Sequence, residues 1–206
     1  MSFLFIDSTY DISLGLLDEK LGWVDFKRHL GLKASTVIQT EVFKLLQTYS
    51  IDPLTLQAVI FVNGPGFYTG LRLSEGFSDV FEFFGVPHLS FYSYEIPFWC
   101  GVESGTWFTK AYRGEYFFYD WTSGTGRSRL IGAKELAAHL DVNSKYYVHS
   151  ATSLDELSLQ YIIDPVQTTD LLQTHQKEIF SEVIRQKLKR EVYYFRAPED
   201  EFKVST

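Results

Sequence analysis

The stretch Asn63-Gly64-Pro65-Gly66-Phe67-Tyr68-Thr69-Gly70-Leu71-Arg72 constrains the fold more than any other part of the chain. It follows Ala58-Val59-Ile60-Phe61-Val62, a short apolar, β-branched run that reads as a buried strand, and precedes a segment whose apolar residues recur at helical spacing. The order is therefore strand, glycine loop, helix. Gly64 and Gly66 reach backbone angles that other residues adopt only at a cost, and Pro65 stiffens the turn between them. Thr69 is placed to cap the helix. Gly70, Ser74 and Ser78 fall four apart and make a stripe of small residues on one helical face, where another backbone can come close. Gly70 and Gly76 each cost a helix about 0.5 to 1 kcal/mol against alanine, so the helix has more than a structural reason to carry both.

Such a loop has two readings. Free amides at a helix start attract anions, which makes the loop a phosphate cradle. Alternatively it is a tight turn that sets a packing helix. The pattern is neither G-x-x-x-x-G-K-[ST] nor G-x-G-x-x-G, which favours the turn.

Gly64-Pro65-Gly66-x-x-Thr69-Gly70-Leu71-Arg72 resembles the signature of the bacterial TsaB family, also called YeaZ. Other stretches agree in order. Phe5-Ile6-Asp7-Ser8-Thr9 is similar to the family's opening strand, and Val86-Pro87 with Ser93-Tyr94-Glu95 to its "IP…S-L-E" segment. Ala111-Tyr112-Arg113-Gly114-Glu115-Tyr116 resembles its "D-A-R-R-G-E-V-Y" hairpin, and Tyr194-Phe195-Arg196 its terminal "Y-L-R". The resemblance implies an α/β protein of the actin, Hsp70 and sugar-kinase (ASKHA) fold, with two small lobes, each a mixed sheet flanked by helices. The lobes are expected over 1–98 and 99–206. It also implies a scaffold for TsaD, the catalytic relative that makes N6-threonylcarbamoyladenosine at position 37 of tRNA, with the ATPase TsaE joining the complex and a homodimer forming when the chain is alone. ATP and metal belong to those partners, and no cofactor is expected here.

The 206 residues are 45% hydrophobic, 17% aromatic and 22% charged, the composition of a folded protein with one or two cores. A net charge of -7 argues against gripping nucleic acid directly, because phosphate neutralisation needs clustered Lys and Arg. The single cysteine, Cys100, excludes an internal disulfide and a cysteine-based metal site, and suits a reducing compartment. There is no signal segment at the start and no run of 18 apolar residues, so a cytoplasmic location away from membranes is expected.

In chain order, Phe3 to Ile6, Ile12 to Leu16 and Gly22 to Phe26 read as an antiparallel meander. Kinases of this fold place a phosphate loop in the first hairpin. Asp7-Ser8-Thr9 occupies that place without a glycine, which hinders backbone approach to a phosphate and favours a turn in which Asp7 or Ser8 bonds nearby amides. Asp7, Ser8 and Thr9 remain the weak nucleotide candidates. Thr36 to Tyr49 reads as a helix with a Thr36-x-x-Gln39 capping box and an apolar face of Ile38, Val42, Leu45, Leu46 and Tyr49. Family members carry His-Ser before this helix and a proline a turn later, where this chain has Ala34-Ser35 and Thr40. The second helix is expected over Thr69 to Phe84, with Gly85 as its stop. Ser123 to Ser128 reads as a loop, Ala133 to Leu140 as a short helix, and Asp170 to Leu188 as one long helix crossing back over the sheet.

The resemblance makes the two long helices the surface on which such a chain pairs with itself or with TsaD. The expected contact residues are Gly64, Pro65, Gly66, Thr69, Gly70, Arg72, Leu73, Ser74, Phe77, Ser78 and Phe81, with Ile38 and Val42 from the first helix. Relatives carry Gly and Ala near Ser74, Gly76, Ser78 and Val80, and Lys where this chain has Asp79, so partner choice is open to adjustment. A bulky charge at Ser74 or Ser78 is expected to abolish TsaD binding with the fold intact. Catalytic residues are not expected. The five histidines show neither H-x-x-x-H nor HExxH spacing, G-x-S-x-G does not occur, and no nucleophilic triad follows from spacing. Arg72 and Arg113 are read as salt-bridge or interface residues ahead of anion ligands, and Tyr112, Tyr116 and Trp121 as hairpin core ahead of base stacking. A nucleotide-binding enzyme of the same fold, or a self-associating homologue drifted from TsaD, are the competing readings.

Overall fold

The structure is a computed structural model that describes residues 2–31, 34–111, 114–141, 144–149 and 164–195. Tyr112, Arg113, Arg196 and the polar tail lie outside the described residues.

The first sheet has five strands: β1 (Phe3–Asp7), β2 (Ile12–Leu17), β3 (Trp23–His29), β4 (Ala58–Val62) and β5 (His88–Phe91). Their order is β3-β2-β1-β4-β5, with β1, β2 and β3 antiparallel and β1, β4 and β5 parallel. Side chains alternate along a strand, so one strand feeds two cores. Phe3, Phe5, Ala58, Ile60 and Val62 point to the face covered by α3 (Ile96–Trp99), α5 (Thr168–Thr174) and α6 (Gln176–Gln186), whose Ile96, Leu172, Ile179 and Phe180 complete that core. Leu4, Ile6, Val59 and Phe61 point to the other face, where α1 (Ala34–Thr48) and α2 (Tyr68–Phe83) contribute Ile38, Val42, Leu45 and Phe81.

The second sheet repeats the plan. β6 (Ser104–Lys110), β7 (Glu115–Thr122) and β8 (Thr125–Gly132) form a meander, and β9 (Tyr146–Val148) and β10 (Val166–Gln167) continue in parallel, giving the order β10-β9-β6-β7-β8. This is the order of the first sheet with each strand replaced by its counterpart. The helix α4 (Ala133–Leu136) covers one face through Leu136. The chain thus has two like halves, although no repeat is visible in its sequence.

Several boundaries differ from the sequence reading. Helix α1 begins at Ala34, two residues before the expected Thr36 cap, and ends at Thr48, which leaves Tyr49 beyond it and exposed. Helix α2 begins at Tyr68 after an extended Phe67, so Thr69 is inside the first turn rather than at the cap. The expected helix from Asp170 to Leu188 is two helices meeting at His175. At that break the Trp23 indole donates to the Leu172 carbonyl at 3.2 Å, the carbonyl that a continuous helix would give to residue 176. The expected loop at Ser123 to Ser128 is a two-residue turn, Ser123-Gly124, both at positive φ, followed directly by β8. β8 is an edge strand with mostly exposed residues, and so lacks the apolar alternation that marks a buried one. Tyr116 and Trp121, an odd number of residues apart on one strand, fall in different cores and do not form one cluster.

Candidate functional site

Where the two sheets meet, the carboxyl end of β1 faces the end of β9, and a chain of polar groups crosses the junction. His149 Nε2 is 2.7 Å from Asp7 Oδ2, although the two are 142 positions apart in sequence. His149 Nδ1 is 3.1 Å from Thr168 Oγ1 at the start of α5, and Asp7 Oδ1 accepts from the Thr9 amide at 3.0 Å and the Thr9 hydroxyl at 2.7 Å. Asp7 is 0% exposed and His149 2%. Burial alone would raise the Asp7 pKa, but the facing His149 and the hydrogen bonds from His149 and Thr9 outweigh it and hold the carboxyl below its ordinary value of 3.8. Tyr10 covers the pair, its ring 5.7 Å from the imidazole and its hydroxyl donating to the Lys110 carbonyl across the junction.

Hydroxyl, imidazole and carboxylate in a row is the connectivity of a nucleophilic triad, which spacing in the sequence had not shown. Here Thr168 is 0% exposed and its partners are buried as well, so the row is closed to a substrate. What it does is join the two halves of the molecule.

The glycine loop lies beside this junction and is filled by the chain itself. Gly64 has φ of +113°, and a Cβ there would stand 2.6 Å from the Tyr193 carbonyl oxygen. A Cβ on Gly66 would stand 2.7 Å from the Thr9 side chain, and one on Gly70 1.7 Å from the Ser8 carbonyl oxygen. The Phe67 amide donates to Thr9 O, the Ser93 amide to Gly64 O and the Tyr193 amide to Asn63 O, each at 2.9 Å. Ser8 Oγ donates to the Gly70 carbonyl at 2.8 Å and is 2.9 Å from Ser74 Oγ. The small stripe on α2 therefore does admit another backbone, that of the turn between β1 and β2. Approach through the glycines, which a phosphate cradle needs, is taken up by this backbone.

This corrects part of the expected contact surface. Gly64, Pro65, Gly66, Gly70, Ser74, Ser78, Phe81, Ile38 and Val42 are buried within the chain, and a bulky charge at Ser74 would break the seat of Ser8 instead of leaving the fold intact. Thr69 and Arg72 are exposed, and Leu73 and Phe77 half-buried. Arg72 pairs with Glu75 at 2.7 Å, donates to the Tyr68 hydroxyl, and lies over the Tyr68 and Tyr194 rings at 5.3 and 5.7 Å.

Beside these residues α1 and α2 present an apolar surface that the sequence reading only partly named. Phe83 is 83% exposed, Phe43 65% and Val80 54%, and Phe84 is exposed just past the helix. Leu73, Gly76, Phe77 and Val80 with Gln39 and Arg72 line a shallow groove of about 390 Å³ between the helices. A Cβ on Gly76 would meet nothing within 4 Å, so the groove floor there is open.

Among the described residues no group of three or more His, Cys, Asp or Glu is arranged to hold a metal, and no helix is long and apolar enough to cross a membrane. No protein-family profile and no curated protein matches the chain. Solved structures do match. YeaZ from Pseudomonas aeruginosa superposes with a TM-score of 0.61, at 18% identity over 93% of this chain and 99% of that one. An uncharacterized protein with similarity to peptidase YEAZ, from Pseudomonas aeruginosa, superposes with 0.58 at the same identity and coverage. The chain has the fold of these proteins, the two-lobed actin-like architecture.

Proposed function

We propose that this chain is a non-catalytic TsaB-like subunit that works by protein contact, holding TsaD in an active arrangement for N6-threonylcarbamoyladenosine synthesis at position 37 of tRNA. The observation that carries the reading is the apolar surface of α1 and α2, where Phe43, Val80, Phe83 and Phe84 stay exposed. The glycine signature and the YeaZ-like fold support it. The commitment of Asp7 to His149, and of the glycine loop to the chain's own backbone, speaks against the competing nucleotide-enzyme reading. ATP and metal then belong to TsaD and TsaE.

A stable contact of this kind buries about 1,200 to 2,000 Å² in total, with large apolar side chains near its centre. Gly76→Arg tests it at a position where the new side chain meets open space. The helix should gain about 0.5 to 1 kcal/mol from losing the glycine. Binding to the cognate TsaD, measured by calorimetry, should be lost. Unchanged binding by a folded Gly76→Arg chain would show that TsaD, if it binds, does so elsewhere.

A further inference from the structure

An open sheet has two edges, and three of the four edges in this chain are blunted. At β5 the Ser90 amide donates to the Leu188 carbonyl at 2.8 Å and the Arg190 amide donates back to the Ser90 carbonyl, so the segment after α6 covers that edge. β10 has only two residues. β3 is offset by a register shift at Leu16 and Leu17, and its Lys27 and Arg28 pair with Asp25 and Asp170. Short length, bulges, proline, charged side chains and covering segments are the usual guards against stray strand pairing. Of these β8 has only charge, from Arg127 and Arg129. It runs eight residues in unbroken register with β7, and Thr125 to Ser128 and Leu130 are exposed.

The turn fixes which backbone groups of β8 are open. Ser123-Gly124 joins Thr122 to Thr125, and a two-residue turn with both residues at positive φ closes on a hydrogen-bonded pair. Such pairs alternate along an antiparallel ladder, so residues 125, 127, 129 and 131 bond to β7. At the far end of β7 the Ala111 amide donates to the Glu115 carbonyl, which gives the odd-numbered residues of β7 to β6 and leaves the even-numbered ones for β8, in the same alternation. Gly126, Ser128, Leu130 and Gly132 therefore turn their amides and carbonyls away from the sheet. An incoming strand meets an unbroken row of donors and acceptors there.

The side chains along this edge select the partner. Arg127 and Arg129 stand on one face, opposite Asp120 and Phe118 of β7. Arg129 is taken up, bonding Asp120 and lying over the Phe118 ring at 5.3 Å. Arg127 is exposed and makes no ion pair among the described residues. On the other face Gly126, Ser128 and Leu130 are small or apolar, and Ser128 Oγ accepts from the Tyr193 hydroxyl at 3.3 Å. A second copy does not suit this edge. Outward-pointing residues pair with one another, so the two longest antiparallel registers of β8 with itself set Arg127 opposite Arg129 or Arg129 opposite Arg129, and like charges directly opposite destabilise. We infer that the β8 edge docks an extended segment of a partner protein as an added strand, with a carboxylate opposite Arg127 and small or β-branched side chains beside Gly126, Ser128 and Leu130. The inference does not depend on the TsaD reading.

The probe is the labelled peptide Thr-Val-Glu-Val-Glu-Val-Thr, whose two glutamates share one face of a strand, compared with the same peptide carrying lysines in their place. Binding to the full chain is read by fluorescence anisotropy, and amide exchange of β8 by nuclear magnetic resonance. Saturable binding of the glutamate peptide is expected, at least about tenfold tighter than that of the lysine peptide. The amides of Gly126, Ser128 and Leu130 should exchange fast in the free chain and slow when the peptide binds, while those of Arg127 and Arg129 are slow throughout. Ser128→Pro removes an outward amide, which an edge strand tolerates, and should abolish binding. Arg127→Glu, at an exposed side chain, should weaken the glutamate peptide at least about tenfold and favour the lysine peptide. Near-ultraviolet circular dichroism checks that both variants keep the fold. No saturable binding up to about millimolar peptide, equal binding of the two peptides, or binding unmoved by both variants would overturn the inference. So would slow exchange of Gly126, Ser128 and Leu130 in the free chain, since the edge would then already be covered by the chain itself or, where the protection grows with protein concentration, by a second copy.

Discussion

Replacing Asp7 by alanine tests how the two halves are joined. The substitution removes the acceptor of three donors at once, the Thr9 amide, the Thr9 hydroxyl and the imidazole, at a site with no exposure. Breaking a buried ion pair by removing one partner costs about 3 to 5 kcal/mol, because the other is left without compensation. For a chain of 206 residues each kcal/mol moves the melting temperature by about 2 to 4 °C, so a fall of about 6 to 20 °C is expected. Asp7→Asn should be much milder. Its amide oxygen can still accept from Thr9, and its NH2 can donate to Nε2 once the imidazole proton moves to Nδ1, where Thr168 Oγ1 can accept it. Urea unfolding followed by tryptophan fluorescence measures both variants, with the double variant Asp7→Ala/His149→Ala expected to cost less than the sum of the singles. An Asp7→Ala chain within about 1 kcal/mol of the parent would refute the claim that this row bolts the halves together.

The same carboxyl predicts a pH effect. A carboxylate held below its ordinary pKa of 3.8 contributes stability that is fully present above that value and lost as the pH falls through the lower folded value. The stability gap between parent and Asp7→Ala should therefore narrow as the pH falls below about 4, as urea midpoints across that range would show. Gly70→Ala places a methyl against the Ser8 carbonyl and should cost at least about 1 to 3 kcal/mol, whereas Gly76→Ala on the same helix should stabilise. Equal effects of the two glycine changes would contradict the seating of the β1–β2 turn on α2. Burial, with a smaller push from Glu178, raises the Cys100 thiol to about 11, so its alkylation by iodoacetamide at pH 8 should be far slower than that of a free cysteine.

The first sheet was readable because its strands announce themselves locally. Phe3 to Ile6 and Ala58 to Val62 are continuous apolar runs, and the glycine loop between β4 and α2 marks the turn from strand to helix. The partner of Asp7 was not readable, since His149 is 142 residues away and only the pairing of the two halves brings them together. Helix ends failed where tertiary contacts replaced local signals, as at Leu172, whose carbonyl goes to Trp23. The small stripe on α2 was seen correctly as a place of close approach, but sequence alone cannot tell a neighbouring chain from the turn at Ser8. Conversely Phe43 and Phe83 sit at helical positions that a core also fills, and only the fold shows them facing out.

The most direct measurement of the proposed function is the mass of the purified chain mixed with its cognate TsaD, by light scattering on a sizing column. The account predicts a peak at the mass of a complex for the parent chain and its loss with Gly76→Arg. Separate peaks for the parent and TsaD, persisting when TsaE and ATP are added, would contradict it.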